Sequence, residues 1–117
     1  KRIMETTLKA EQPGTINAVY AHNDDMALGA IQAIEEAGLK PGTDVHVVSI
    51  DGIRDAVEAV ANGVLGCTIE CNPLLGPLAF DAVEELLAGE EVPARTVVPY
   101  RVIDQEAAAA ELPNRQY

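Results

Sequence analysis

The side chains with the widest chemical reach in this sequence stand where apolar runs stop. His22-Asn23-Asp24-Asp25 follows Val19-Tyr20-Ala21, Asp51-Gly52 follows Val47-Val48-Ser49-Ile50, and Glu70-Cys71-Asn72 closes a third run that begins at Leu65. A carboxylate offers two acceptor oxygens, and a primary amide offers both a donor and an acceptor. Asn23 and Asp51 therefore suit a polyol, because one planar side chain can hold two adjacent hydroxyls and a charged acceptor makes the stronger bonds. Each of these residues also has a plainer role. An Asn before two acids is a helix N-cap, and the acids suit the positive end of the helix dipole. Asp24 and Asp25 are read as such first-turn, solvated acids, whereas for Asn23 capping and ligand binding both stand. Asp51-Gly52 is also turn chemistry, and Glu70 is a strand end that water can solvate. His22 and His46 read as ordinary polar neighbours.

Other chemistries lack their parts. His22 with Asp24 has no His-x₃-His or Cys-x₂-Cys companion, so no metal is expected. No G-x-G-x-x-G or G-x₄-G-K-[ST] pattern follows a strand to cradle phosphates, and no cofactor is expected. Ser49 lies inside a strand without a G-x-S-x-G elbow, so it is not read as a nucleophile. A phosphoacceptor receiver domain is a remote alternative. Asp24, Asp25 and Asp51 could supply its acids, but Lys1, Lys9 and Lys40 are the only lysines and none follows a later strand. The reading is of a binder and not an enzyme. A net charge of −11, from 8 basic and 19 acidic residues, repels phosphate backbones and anionic lipid, so nucleic acid is not an expected partner. Cys67 and Cys71 on one strand would lie about 13 Å apart, too far for a disulfide between them. They are read as packing residues.

The elements that must position these residues alternate. The chain has 117 residues, 48% of them hydrophobic, which suits one domain with a core. A short helix is predicted over Arg2–Ala10, ended by Pro13-Gly14. Strands are predicted over Ile16–Ala21, Val45–Ile50 and Leu65–Cys71. Helices are predicted over Asp24–Ala37, where Leu28, Ile31 and Ile34 share a face, and over Ile53–Asn62. Gly38 and Gly63 fit the positions just past their ends. A further helix over about Leu74–Ala88 would take Asn72 as N-cap and Pro73 at its first position, with Pro77 tolerated only near the first turn. Thr96–Ile103 is an extended stretch in which Pro99 argues for an edge or crossover strand and against a central one. Ala107–Ala110 suits a short helix. Strands separated by helices imply a parallel sheet with helices on both faces, and ligands of such sheets bind beyond the strands' carboxyl ends.

The stretch "VYAHNDDMALGAIQAIEEAGLKPGTDVHVVSIDG", residues 19–52, resembles the periplasmic sugar-binding proteins of ABC importers, of the ribose and galactose type. The likeness continues through "IRDAVEAVANGVLGCTIECNPLLGPLAFDAVEELLAGE" to about residue 90 and is closest to galactofuranose binders. It implies the C-terminal portion of a two-lobed type I periplasmic-binding fold. Residues 1–71 would be an incomplete C-terminal lobe, 72–94 a helical segment packing on the other lobe, and 95–117 a hinge-crossing strand and tail. It implies capture of a monosaccharide, pentose or hexose and furanose forms included, and delivery to an ABC transporter permease outside the cytoplasm. Asn23 and Asp51 match sugar-binding positions. A third position, often Gln, falls on Cys71, with Glu70 beside it as the alternative contact. The fragment alone would bind sugar weakly or not at all, and self-association is a way for it to cover its exposed surface. The sugar-sensing domain of a LacI-type transcription regulator shares these motifs and is the competing assignment.

Overall fold

The computed structural model describes residues 1–117. Four strands make one sheet in the spatial order β1-β2-β3-β4: β1 (Ala18–Tyr20), β2 (His46–Asp51), β3 (Cys67–Glu70) and β4 (Val102–Ile103). The helices are α1 (Arg2–Ala10), α2 (Asp24–Glu36), α3 (Arg54–Ala61), α4 (Gly76–Leu87) and α5 (Gln105–Glu111). The first three strands are parallel, as their helical crossovers require, and β4 runs antiparallel to β3. The mostly parallel sheet with covering helices is the expected class, but the helices cover one face where both were expected, because β1, β2 and β3 are laid down in a single direction. The edge strand expected within Thr96–Ile103 is present as β4, but it runs antiparallel where a parallel sheet was expected.

Because β1, β2 and β3 advance in one direction, right-handed crossovers put α2 and α3 on the same face. α1 packs beside α2 and α5 beside α3, which extends that single helical layer. The strands alternate accordingly. Val47 and Ser49 of β2 and Thr68 of β3 are buried, in one core with Ile31, Ile34, Val57, Val60 and Ile103. Val48, Ile50 and Ile69 point the other way and are only half-buried.

Most element bounds fall within two residues of the expected ones, and two differ for physical reasons. α4 begins at Gly76, two residues late, because Pro77 lacks an N–H and fits only a first turn. Asn72 does not cap it. Its Oδ1 instead accepts from Leu74 N at 2.8 Å in a local turn before the helix. The extended stretch 96–103 pairs only at Val102–Ile103, the part that reaches β3. Asp104 then caps α5, its Oδ1 accepting from Ala107 N at 3.0 Å.

Two loops meet tightly at the foot of the sheet. Gly42 has φ +79°, and a Cβ there would come within 2.0 Å of the Gly63 carbonyl oxygen. Between its two flanks, which return to the edge of β3, α4 stands away from this body. α4 has no buried residue, and Leu78, Phe80, Val83, Leu86 and Leu87 are exposed. The molecule is accordingly long, 62 × 30 × 17 Å.

Candidate functional site

The sheet register sets the site. Tyr20 pairs with Val48, and Asp51 pairs with Glu70. Asp51 and Glu70 end β2 and β3 as a register pair, and Asn23 follows the end of β1 at the start of α2, so the three stand at the same edge of three neighbouring strands. This is the carboxyl edge at which open α/β sheets bind ligands.

Asn23 is the N-cap of α2, its Oδ1 accepting from Met26 N at 2.9 Å. Capping commits one oxygen and leaves the amide NH₂ and a lone pair for a ligand. Asp51 is half-buried, and its backbone has φ +130°, the only positive φ at a residue other than glycine. Such a conformation costs about 1–3 kcal/mol and collects at functional sites. It turns the chain out of β2 at this residue, and Gly52 follows with φ +81°. No chain donor within hydrogen-bond distance meets the Asp51 carboxylate, whereas the carboxylates of Asp24 and Glu70 beside it are fully engaged.

Asp24 is neither solvated nor a first-turn ornament. It is fully buried, and its carboxylate accepts four hydrogen bonds. Oδ1 takes Ser49 Oγ at 2.5 Å and Thr68 Oγ1 at 2.8 Å, while Oδ2 takes Gly52 N at 2.7 Å and Ile53 N at 2.8 Å. Ile53 is the N-cap position of α3 and its own side chain cannot cap, so the Asp24 carboxylate serves the start of α3 from another helix. One side chain thus ties β2, β3 and two helices together directly behind Asp51. The sequence did carry a sign of this. Ser49 and Thr68 put hydroxyls inside otherwise apolar strands, and buried hydroxyls require a partner.

Glu70 is buried to 9% exposure and is also occupied. Arg101 Nε donates to Oε2 at 2.9 Å, Arg115 Nη1 donates to Oε1 at 2.7 Å, and Tyr117 Oη donates to Oε1 at 2.9 Å. Arg101 foremost, with Arg115 and Tyr117, pulls the Glu70 carboxyl down to about 2 against the cost of burial. Arg101 also pairs with Glu111, and Arg115 stacks 4.3 Å from the centre of the Tyr117 ring. Cys71, next along, is an exposed free thiol, and burial raises the Cys67 thiol above its ordinary range. Arg101, Arg115 and Tyr117 carry no motif that would have marked them in the sequence. Their partners lie 31 to 63 residues away, and only the return of the chain at β4 brings them to the site.

An open, mostly parallel sheet with helices packed on it and polar side chains at its carboxyl edge is an α/β architecture of the kind that binds ligands at that edge. Residues 1–91 match the periplasmic binding protein domain, and the chain belongs to that family. It is 51% identical over 86 residues to the galactofuranose-binding protein of Escherichia coli K12, an alignment that spans 73% of this chain and 27% of that one. Among solved structures it is similar to the periplasmic binding protein component of the arabinose ABC transporter from Shewanella sp. ANA-3, bound to α- and β-L-arabinofuranose. There the TM-score is 0.89 at 46% identity, over 98% of this chain and 38% of that chain. A Mycobacterium smegmatis protein in complex with β-D-fucofuranose matches with a TM-score of 0.87 at 48% identity, over 97% of this chain and 36% of that chain. The chain therefore spans well under half the length of these relatives.

Proposed function

We propose that residues 1–117 are part of a solute-binding protein that captures a monosaccharide between two lobes and hands it to an ABC transporter permease on the extracytoplasmic side. The observation that carries this reading is Asp51, a carboxylate on strained backbone, free of chain partners, at the same edge of the sheet as the amide of Asn23. Furanose forms of a pentose or hexose are the favoured ligands, because one similar protein is named for galactofuranose and two others are solved with arabinofuranose or fucofuranose bound. The sugar is held and released without bond making or breaking. Asp51 accepts from two hydroxyls, the Asn23 NH₂ donates to a third oxygen, and the exposed Cys71 lies at the margin. Glu70 contributes to a sugar contact only if one of its three donors gives way, so its role here is to hold the site's edge.

The rest of the grip is assigned to a second lobe. Residues 1–71 then belong to one lobe, α4 with its flanks (72–94) packs on the other, and 95–117 crosses back. Closure of the two lobes on the sugar shifts the population toward the closed form, which the permease reads.

Calorimetry of the full-length protein against L-arabinose, D-galactose, D-fucose and D-ribose tests the reading. A sugar-dependent heat is expected with at least one of them, and Asp51→Asn is expected to weaken it by about 1–3 kcal/mol, the range for leaving hydroxyls without a charged acceptor. Asn23→Ser keeps a good N-cap but shortens the reach. It is expected to weaken binding while leaving the melting temperature nearly unchanged. Wild-type affinity in both variants would overturn the site.

A further inference from the structure

The conformation that presents the Asp51 carboxylate needs something to hold it, since positive φ at an Asp followed by positive φ at Gly52 is not a resting state of the chain. The peptide groups around it are pinned on three sides. The Asp51 carbonyl accepts from Cys71 N at 2.9 Å. The Gly52 N–H donates to Asp24 Oδ2 at 2.7 Å. The Gly52 carbonyl accepts from Arg115 Nε at 2.8 Å and again from Arg115 Nη2. The first two clamps belong to the sheet and its neighbouring helix. The third comes from 63 residues further along the chain.

Arg115 is built for that task. Its side chain is 5% exposed, its remaining nitrogen donates to Glu70 Oε1 at 2.7 Å, and the Tyr117 ring covers it. A guanidinium is a rigid fork, so fixing one edge on Glu70 fixes the other edge on Gly52. The fit is close: a Cβ at Gly52 would lie 2.5 Å from Arg115 Nη2. The backbone of Arg115 is tied as well, since Arg54 Nη1 donates to the carbonyls of Leu112 and Arg115, each at 3.0 Å.

We propose that Arg115 is a positioning residue for sugar binding: anchored on Glu70, its guanidinium pins the Gly52 carbonyl and so fixes the direction of the Asp51 carboxylate. Arg115 acts through Asp51 and makes no contact of its own with the sugar. The proposal rests on Asp51 being a sugar ligand, and the test separates the two.

The test is a double-mutant cycle in the full-length protein, with L-arabinose and D-galactose as calorimetric probes. Asp51→Asn, Arg115→Met and the double variant are compared. Arg115→Met is expected to raise Kd about tenfold, and the double variant to bind no more weakly than Asp51→Asn alone, because the clamp has nothing left to aim. Multiplying effects, or an unchanged Kd in Arg115→Met with only a lowered Tm, would overturn the positioning role while leaving Asp51 as ligand. An unchanged Kd in Asp51→Asn, or no heat from either probe with the wild type, would overturn the ligand assignment and this proposal with it. Should Arg115→Met not fold, Arg115→Lys replaces it in the same cycle, since it keeps a cation for Glu70 without the fork to Gly52, and the same outcomes decide.

Discussion

A carboxylate that receives hydrogen bonds from two hydroxyls and two backbone amides is a structural joint, and Asp24 is one. Its neighbour Asp25 is exposed and makes no comparable contact. Removing the Asp24 carboxylate leaves two peptide N–H groups and two hydroxyls buried without their acceptor. Each unmet group costs about 1–3 kcal/mol, with rotation of the hydroxyls recovering part. Asp24→Ala is therefore expected to lower stability by roughly 3–5 kcal/mol in urea unfolding of the full-length protein, with Asp25→Ala within about 1 kcal/mol of wild type. Equal small effects at both positions would show that the joint carries no weight. The pair also marks how far residue-level reading reaches. The placement of Asn23 and Asp51 was legible because a strand end followed by a polar side chain says where that side chain lies. Asp24 was not, because "first-turn acid" and "buried acceptor" share one local pattern. Only the register that sets Ser49 beside Thr68, both donating to the Asp24 carboxylate, distinguishes them.

Among the elements, β4 and α5 do most to complete the site, since they return the chain to the edge of β3 and deliver Arg101 and Arg115 to Glu70. That ion-pair cluster predicts an acid response of definite sign. The Glu70 carboxyl is lowered to about 2 from 4.5, chiefly by Arg101. A group with a depressed folded-state value stabilises the fold above its unfolded value, and that contribution fades as pH falls through the folded one. The contribution of Glu70 is thus whole above pH 4.5 and lost on descending toward about 2. Melting temperatures of wild type and Glu70→Gln, measured between neutral pH and pH 2, are expected to differ most at neutral pH and to converge as pH falls across that window. A constant gap would mean that Arg101 and Arg115 do not single out the charged form. The element pattern itself was largely readable: apolar periodicity gave all three parallel strands and their crossovers, and Pro77 limited where α4 could begin. The pairing of residues 102–103 was not, because a two-residue strand has no period and its partner is set by tertiary contact.

For the molecule as a whole, the apolar surface is not all used. Val48, Ile50 and Ile69 line a half-buried sheet face opposite the helices, and α4 stands clear with no buried residue. On α4 the acids Asp81, Glu84 and Glu85 share one side, at spacings of three and four residues. Leu78, Phe80, Val83, Leu86 and Leu87 spread over the remainder of the helix, and all are exposed. An amphipathic helix of this kind is stable where its apolar side packs. In the proposed two-lobed protein a second lobe supplies that packing. Residues 1–117 on their own must find another partner, and copies of the same helix are the nearest. Sedimentation velocity on residues 1–117 is expected to show concentration-dependent association, because a contiguous exposed apolar surface of this kind rarely persists on a monomer. The net charge of −11 opposes this at low salt, so association is expected to strengthen as salt screens the repulsion. Phe80→Asp with Leu87→Asp places charge in the apolar sector without touching the sheet or the Asp51 edge. These substitutions are expected to return the fragment to a monomer with its helical signal essentially retained. A wild-type fragment that stays monomeric at every salt concentration would mean that α4 does not stand free in solution but folds back on the bare face of the sheet, with Val48, Ile50 and Ile69 covered instead.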